Sequence, residues 1–385
     1  MRRIYLDHSA TTPVRKEVAE IMLEYLTGRF GNPSSIHSFG REAKEALEKA
    51  REQVAHALHA DSREIIFTSG GTEADNLALF GTALQNSDKG KHIITSAIEH
   101  HAVLHACEYL QKKGFRVTVL PVDEYGLIRM EDLRQAITAE TILISIMHAN
   151  NEVGTIQPIA EIGALAREKG ILFHTDAVQS LGKIQLDVEK MKVDLLSGSG
   201  HKIYGPKGTG FLYVRQGVKI NPLSYGGHQE RNFRAGTENI PGIVGLGKAV
   251  ELAEAELDTE MPRLARLRDQ LIQGLQERIP HIKLNGHPEL RVATNVNFSF
   301  LFVEGESLLL LLDLQGIAAS SGSACTSGSL DPSHVLLAMG LPHEVAHGSV
   351  RMTLGRDNTE EDIREVLEEL PPMVNRLREM SPLKA

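Results

Sequence analysis

Short apolar runs alternate with longer amphipathic stretches over the first half of the chain. The runs are rich in β-branched residues and predict strands, whereas the stretches between them repeat apolar residues at helical spacing. This alternation predicts βαβ units around a mostly parallel sheet, and the nearly all-apolar strands indicate that helices cover both of its faces. The predicted strands are 64–68, 92–95, 116–120, 141–147, 171–174 and 193–196, and the predicted helices are 73–85, 102–113, 130–137 and 159–169.

The alternation gives way to a different pattern after about residue 258. Leucines at helical spacing predict one long helical region, and the elements that follow mix strands and helices without the earlier rhythm. No internal repeat of 20 to 50 residues is present. The predicted elements here are a helix at 243–279, a strand near 292–300, a helix at 306–314 and a strand at 350–354.

Length and composition fit two domains that share an interface. The chain has 385 residues, more than one ordinary core accommodates, and its 42% hydrophobic and 24% charged residues are typical of a globular protein. We predict a large domain over 15–258 and a smaller α+β domain over 1–14 and 259–385. The last helix of the smaller domain is predicted to begin at the capping-box sequence 359–362.

Charge and cysteine content weigh against several classes of function. A net charge of −9 disfavours a broad basic face for nucleic acid. The longest apolar run, 308–312, is too short to cross a membrane, and the first residues lack the apolar region of a signal peptide. The same charge favours small substrates or protein partners. Two cysteines form no disulfide framework, so we expect a reducing, cytoplasmic setting.

Polar residues follow five of the predicted strands, at the sheet edge where ligands bind in open parallel sheets. Loops are polar in general, but five such groups at one edge are harder to explain in that way. The sequence therefore predicts a site there. The groups are 68–72, 99–100, 148–151, 176–179 and 197–202.

The sequence Ser69 to Glu73 contains the adjacent glycines Gly70 and Gly71 at a predicted strand-to-helix turn. Glycines let the backbone approach an anion, and a helix N-terminus offers unpaired N–H groups. Paired glycines also make ordinary turns, so a phosphate site and a plain turn both stay open. A Walker A loop is excluded, because Pro206 stands where that motif needs a lysine.

Lys202 follows an apolar strand in a loop of serines and glycines, where a cofactor can come close. A desolvated lysine can be neutral and form a Schiff base, although most lone lysines are solvated surface charges. Asp176 lies one strand earlier. It can pair with a pyridinium nitrogen, or it can merely cap a helix.

Cys325 lies in a tract from Ser320 to Ser329 that consists almost entirely of serine and glycine. Such a tract predicts an exposed, flexible segment, whereas a structural cysteine prefers apolar surroundings. We therefore interpret Cys325 as a reactive thiol. Cys107 lies within a predicted helix and is interpreted as structural.

Two histidine pairs have the spacing of metal ligands. His343 and His347 fit the H-E-x-x-H pattern of zinc peptidases, but Pro342 and Gly348 leave scarcely one helical turn to hold them. His101 and His105 are four residues apart and are more simply exposed helical side chains. We predict no metal site.

Together these motifs closely resemble the cysteine desulfurases of the nitrogen-fixation and iron–sulfur-assembly type. These are pyridoxal 5'-phosphate (PLP) enzymes with the type I, aspartate-aminotransferase-like fold. The sequence departs from many relatives at His8-Ser9, and the segment 330–333 after the cysteine tract is similar to that of the long-loop subgroup. The motifs that carry the resemblance are 5–13, 31–35, 174–179, 234–237 and 351–356.

The resemblance implies how PLP would be held. Lys202 is similar to the Schiff-base lysine, Asp176 to the pyridinium partner, and Gln179 to the donor to the ring's phenolic oxygen. His100 resembles the residue that stacks on the ring and carries protons. The implied phosphate-binding residues are Gly71, Thr72, Ser199, His201 and, from the other subunit of a homodimer, Thr237.

The resemblance also implies the reaction. L-Cysteine becomes L-alanine, and its sulfur passes to Cys325 as a persulfide and then to an acceptor such as an iron–sulfur scaffold protein. Asn151 and Arg351 are similar to the clamp for the substrate carboxylate, and an arginine suits a planar carboxylate. Lys202 and His100 would be the other catalytic residues.

Three alternatives stay open from the sequence. The first is another PLP reaction on the same scaffold, such as selenocysteine cleavage or β-elimination, which turnover on each substrate would distinguish. The second is a zinc hydrolase built on His343 and His347, which metal analysis and a visible spectrum would distinguish. The third is a non-catalytic sulfur relay or scaffold, and the presence of Lys202, Asp176 and Cys325 argues against it.

Overall fold

Seven neighbouring strands form the largest sheet in the computed structural model, which describes residues 2–321 and 332–381. The short strand β1 (Ile4–Tyr5) precedes them and pairs elsewhere. The seven are β2 (Ile65–Thr68), β3 (His92–Ser96), β4 (Arg116–Leu120), β5 (Thr141–Ser145), β6 (Leu172–Asp176), β7 (Leu195–Ser199) and β8 (Gly210–Val214).

The strand order across this sheet is β2-β8-β7-β6-β5-β3-β4. Strands β3 to β7 run parallel to one another, and only β8 is antiparallel to its neighbours β2 and β7. The predicted mostly parallel sheet is therefore confirmed. Because β3, β5, β6 and β7 share one direction, the segments that follow them come together at one edge.

Helices cover both faces of the sheet. Ile65 and Phe67 of β2 pack into one apolar cluster and Ile66 into another, as the alternation of side chains along a strand requires. Burial on both faces explains why the strands are apolar throughout. The helices up to this point are α1 (Lys16–Thr27), α2 (Ser38–Ala57), α3 (Gly71–Asn86), α4 (His101–Lys112), α5 (Met130–Ala136), α6 (Ile159–Lys169), α7 (Val188–Met191) and α8 (Ile240–Arg278).

Most of the remaining elements build a separate apolar cluster, which Ile4 and Leu6 from the N-terminus join. Three of these strands form an antiparallel sheet, and β1 pairs in parallel with the short strand at Ile317–Ala318. Among the residues that the structure describes, no helix is long and apolar enough to cross a membrane. The elements are β9 (Ile282–Leu284), β10 (Asn295–Phe300), α9 (Gly305–Leu314), β11 (Ile317–Ala318), α10 (His334–Ala338), α11 (His343–His347), β12 (Ser349–Thr353) and α12 (Glu360–Met380).

The predicted capping box at the start of α12 is confirmed. The Thr359 side chain accepts a hydrogen bond from the Asp362 N–H at 3.3 Å, and the Asp362 carboxylate accepts one from the Thr359 N–H at 2.9 Å. Both bonds satisfy donors that the first turn of a helix otherwise leaves unpaired.

Candidate active site

A cavity of about 300 Å³ lies at the edge where β3, β5, β6 and β7 end. This volume is at the lower end of the range for small-molecule pockets. The N-terminal segment after β1, the start of α3 and strand β12 complete its walls. The lining residues are Ser9, Ala10, Gly71, Thr72, Asp75, His100, Met147, Asn151, Asp176, Val178, Gln179, Ser199, His201, Lys202 and Arg351.

Lys202 is held over the cavity by the N-terminal segment. It ends a single 3-10 turn (Gly200–Lys202) directly after β7. Its Nζ donates to the carbonyl oxygens of Ser9 at 2.5 Å and Ala10 at 2.8 Å. These are neutral acceptors, so both the charged and the neutral amine can donate to them.

Asp176 is the last residue of β6 and is buried in the cavity wall. Its Oδ1 accepts a hydrogen bond from the Val178 N–H at 2.9 Å. Burial raises the pKa of Asp176 to about 6, and the Val178 N–H and the Lys202 charge oppose that rise. A cationic ring nitrogen beside Asp176 would be its natural charge partner.

A second buried carboxyl, Asp75, lies behind Asp176 on α3. Burial and the nearby charge of Asp176 raise the pKa of Asp75 well above its ordinary value, because two buried carboxyl groups close together disfavour a second negative charge. His174 Nε2 lies 3.6 Å from Asp75 Oδ1. Burial lowers the pKa of His174 to about 3, so this imidazole is neutral and does not offset the acid pair.

The start of α3 forms a cradle suited to an anion. The φ angle of Gly70 is 153°, and a Cβ on Gly71 would lie only 2.7 Å from Val178 Cγ2, so neither position accommodates a side chain without strain or displacement. The N–H groups of the first turn of α3 face this region, and the positive end of the helix dipole favours an anion. Three further polar side chains line the same cavity, those of Thr72, Ser199 and His201.

His100 is the N-cap residue of α4 and is oriented by its own helix. Its Nδ1 accepts a hydrogen bond from the Ala102 N–H at 3.1 Å, so in the neutral ring the proton sits on Nε2. Burial, then the charges of Lys202 and of two neighbouring histidines, lower the pKa of His100 to about 4. The imidazole is therefore neutral near pH 7, and while this cap persists its Nε2–H can only donate a hydrogen bond.

Arg351 on β12 is a buried cation aimed at the cavity. Its Nη1 donates to the Asn151 carbonyl oxygen at 3.0 Å, and its Nη2 donates to Asp7 Oδ1 at 2.9 Å. Its exposed fraction is only 2%. A guanidinium has five N–H groups, so these two bonds fix its orientation and leave donors for a ligand carboxylate.

Two residues singled out in the sequence do not line this cavity. Thr237 lines a separate cavity of about 190 Å³ beside Ser69. Cys325 lies outside the described residues. On either side of that gap, Ser320 pairs with Arg351 through two backbone hydrogen bonds, and the Ser333 hydroxyl donates to the buried Glu152 carboxyl.

The other cysteine and the histidine pairs lie apart from the cavity lining. Burial raises the pKa of Cys107 to about 12, so this thiol stays protonated near neutral pH. The rings of His343 and His347 have their centroids 6.4 Å apart on the five-residue helix α11. In the described part of the chain, no group of three or more His, Cys, Asp or Glu residues is arranged to hold a metal ion.

Comparison with known proteins gives the family. The model of the family described as aminotransferase class-V matches residues 4–366. The chain is 61% identical over 382 residues to the cysteine desulfurase IscS of Methanosarcina thermophila, which covers 99% of this chain and 94% of the relative. This chain is a class-V aminotransferase family member.

Other relatives of this family member agree. The cysteine desulfurase IscS of Dictyoglomus turgidum is 57% identical over 383 residues, covering 100% of this chain and 97% of the relative. A solved NifS-like protein superposes with a TM-score of 0.92 at 40% identity, over 98% of this chain and all of that one. A structure described as SspA in complex with cysteine has a TM-score of 0.81 at 39% identity, over 91% and 98% of the two chains. The resemblance stated from the motifs is confirmed at the level of the family and of its fold.

Class-V aminotransferases use PLP, and the cavity fits that group. An amine, a buried carboxylate and an anion cradle are the three features that its aldehyde, ring nitrogen and phosphate require. Lys202, Asp176 and the start of α3 with Gly71 supply them within one cavity. Gln179 and His100 line the same space.

Sequence reasoning missed four residues at or beside the cavity. Ser9 and Ala10 contribute backbone carbonyls, which no side-chain pattern indicates. Asp75 follows Thr72 by three residues and Lys183 follows Gln179 by four. Those spacings place each pair on one face of a helix or helical turn, and that signal could have identified both.

Proposed function

We propose that this chain is a PLP-dependent cysteine desulfurase that converts L-cysteine to L-alanine and transfers the sulfur to Cys325 as a persulfide. One observation carries the proposal: Lys202, Asp176 and Arg351 line a single cavity. An amine that can hold PLP, a carboxylate for its ring nitrogen and a cation for an amino-acid carboxylate thus converge. The relatives named cysteine desulfurase, and the neighbour solved with cysteine, support this choice of substrate.

Bound PLP supplies an electron sink for the negative charge that develops on the substrate's α-carbon. Asp176 keeps the ring nitrogen protonated, because a buried carboxylate strongly favours a cation beside it. Lys202 would hold the cofactor through its Nζ, and the same Nζ would be the base that accepts the α-proton of a bound amino acid.

Arg351 and Asn151 orient the substrate. The guanidinium is already fixed by the Asn151 carbonyl and Asp7, so little side-chain entropy is lost when a carboxylate binds to it. Binding the carboxylate there directs the rest of the amino acid toward Lys202, which lines the same cavity. His100, with its proton on Nε2, can donate a hydrogen bond to a group beside it in the cavity.

Cys325 performs the sulfur transfer in this proposal. Its thiolate attacks the sulfur of the substrate, and an S–S bond forms as the substrate C–S bond breaks. The electron pair of the C–S bond stays on the β-carbon, which takes a proton and becomes the methyl group, and the α-carbon regains its proton from Lys202 to give alanine. The persulfide then passes to an acceptor protein, such as an iron–sulfur scaffold, in a reducing cytoplasm.

Replacing Asp176 by asparagine is expected to lower alanine formation by at least about 10²-fold while some cofactor still binds. Asparagine keeps the shape of aspartate but cannot hold the ring nitrogen protonated. Alanine is measured after adding cysteine, and bound PLP is measured by its absorbance.

Asp194→Asn is the matched control for that substitution. Asp194 is buried, and its Oδ1 lies 2.6 Å from Arg215 Nε. It directly precedes β7, at the edge of the sheet opposite the cavity. It is expected to lower the melting temperature and leave turnover per folded molecule unchanged. Unchanged turnover in Asp176→Asn would remove Asp176 from the mechanism.

We also propose a homodimer in which Thr237 reaches the phosphate of the partner subunit. Exposed apolar side chains near the N-terminus support an interface: Leu23, Leu26, Phe30 and Ile36 are 59%, 60%, 67% and 91% exposed. A single chain leaves Thr237 outside the cavity that Lys202 lines.

Mixing two inactive variants tests this arrangement. A Lys202→Ala chain and a Thr237→Ala chain, dissociated and reassembled together, are expected to recover up to about a quarter of wild-type activity, because half of the dimers then hold one intact site. If Thr237 serves its own chain, no activity returns. A monomer in sedimentation at working concentration would also contradict the proposal.

The proposed function is tested most simply by following purified protein before and after adding cysteine. We expect a visible absorption band from bound PLP that changes on adding cysteine, together with alanine formation. Pyruvate in place of alanine would instead indicate β-elimination, and faster turnover of selenocysteine than of cysteine would indicate a selenium enzyme. A protein that acquires no band with added PLP would refute the proposal.

A further inference from the structure

Lys183 lies directly behind the cavity residue Gln179. The segment after β6 coils in tight turns, in which the Leu181 N–H donates to the Ala177 carbonyl at 2.8 Å and the Ile184 N–H to the Ser180 carbonyl at 2.9 Å. Side chains four residues apart therefore share a face. The Lys183 Nζ donates to Gln179 Oε1 at 3.1 Å.

This lysine occupies a costly position. Lys183 is half-buried, and this burial, followed by the charges of Lys202 and Arg351, lowers the pKa of Lys183 to about 7. Within the described residues, Lys183 has no carboxylate within ion-pair distance. A methionine of similar length would fill the same space without desolvating an amine, so packing does not explain a lysine here.

The hydrogen bonds of Gln179 define which end of its amide faces which neighbour. Its Nε2 donates to the Ser9 carbonyl at 3.0 Å, and its Oε1 accepts from Lys183. A carbonyl oxygen only accepts and an ammonium only donates, so Lys183 is a donor-only neighbour while it is protonated. Reversing the amide would therefore place two donors against each other at Lys183 and two oxygens against each other at Ser9.

We infer that Lys183 is a positioning residue that fixes the Gln179 amide with its NH₂ group toward the cofactor side of the cavity. The inference rests on the proposed function, in which PLP occupies this cavity. An amide NH₂ stabilises an anionic oxygen, whereas an amide oxygen repels one. Holding Oε1 at Lys183 thus leaves Gln179 only a donor to offer to the ionised ring oxygen of PLP.

The decisive variant is Lys183→Met in the PLP-loaded protein. Without the ammonium, only the Ser9 carbonyl still opposes reversal of the Gln179 amide, and in the reversed orientation the amide oxygen disfavours an ionised ring oxygen. We expect PLP to dissociate about five- to tenfold more readily, as for the loss of roughly one hydrogen bond to a charged group. We also expect part of the visible band to be replaced by near-ultraviolet absorbance, because the neutral ring absorbs at shorter wavelength.

Three comparisons separate positioning from a general loss of stability. Lys183→Arg keeps a donor-only cation and is expected to restore most of the visible band. Lys190→Met removes an 83% exposed lysine side chain on α7 and is expected to leave both readouts unchanged. In a Gln179→Ala background, Lys183→Met is expected to change PLP affinity less than twofold, because no amide remains to be positioned.

The inference is overturned if Lys183→Met leaves PLP affinity and the visible band unchanged. It is also overturned if the substitution has its full effect in the Gln179→Ala background, because Lys183 would then act on the cofactor through its charge. Lys183→Gln retains polarity without the charge and replaces the methionine variant if that variant does not fold. The same direction of change is expected, because a glutamine can accept as well as donate and so no longer fixes the Gln179 amide. Failure of the wild-type protein to bind PLP would instead refute the proposed function.

Discussion

Replacing Lys202 by alanine is expected to remove covalently held PLP and to lower alanine formation at least about 10³-fold. The factor lies within the range of roughly 10² to 10⁴ for loss of one general acid–base group, and loss of the cofactor anchor adds to it. Lys202 lines the same cavity as Asp176, and its Nζ is held by two carbonyl oxygens. The methyl side chain of the alanine in this variant can neither bind the cofactor covalently nor accept a proton.

Borohydride reduction followed by peptide mass spectrometry measures the first effect, and alanine release measures the second. We expect the wild-type protein to carry the reduced cofactor on Lys202, and the variant to lose PLP on dialysis. Lys190→Ala is the control, since this lysine side chain is 83% exposed and pairs only with Asp187 among the described residues. Retention of wild-type turnover by Lys202→Ala, or covalent cofactor on Lys183 in the wild type, would contradict the assignment.

Replacing Cys325 by alanine is expected to stop alanine formation almost completely while PLP and cysteine still bind. In the proposed reaction the C–S bond breaks only when a thiolate attacks the sulfur, so without that thiolate the substrate waits at the site. The loss should resemble removal of a catalytic nucleophile, at least about 10³-fold. The visible spectrum should still change on adding cysteine, which separates binding from turnover.

Cys107→Ala is the matched control, because it removes the other cysteine. The exposed fraction of Cys107 is 3%, and burial raises its pKa to about 12, so it carries almost no thiolate at neutral pH. We expect this variant to keep alanine formation and sulfur transfer. Full alanine and sulfide production by Cys325→Ala would mean that sulfur leaves by simple elimination.

The elements whose limits the sequence predicts most closely are those that end at a recognisable local signal. Strand β4 (Arg116–Leu120) and helix α6 (Ile159–Lys169) have the predicted limits, and α6 ends at Gly170, whose φ of 68° suits glycine. Strand β7 begins two residues later than predicted and continues through Gly198 to Ser199. The last three residues of β7 are serine and glycine, which do not have the apolar character that predicts a strand. A Cβ on Gly198 would lie 2.4 Å from the Phe211 ring, so only glycine fits there.

Strand β8 (Gly210–Val214) was not predicted, because the βαβ rhythm gives no reason to expect it. It follows β7 through a short turn and loop without a crossover helix, and it inserts antiparallel between β7 and β2. That placement depends on pairing between strands distant in sequence. Hydrophobic periodicity within one segment carries no information about such pairing.

The residues of the candidate site also fall into a predictable and an unpredictable group. Residues at or just beyond strand ends, such as Asp176 and Lys202, were predictable because the topology of parallel sheets brings strand ends together. The backbone carbonyls of Ser9 and Ala10 were not, because the N-terminal segment reaches the site only through long-range packing. Lys183 was overlooked because a lysine is ordinarily a surface charge, and its position behind Gln179 is visible only in the fold.

A single turnover of the wild-type protein with L-cysteine, in the absence of any sulfur acceptor or reductant, tests the central claim most directly. Alanine is quantified, and the quenched protein is digested to locate any cysteine that carries one added sulfur atom. The account predicts one alanine per persulfide, with the persulfide on Cys325 and none on Cys107. Pyruvate and free sulfide with no protein persulfide, or a persulfide on Cys107, would contradict it.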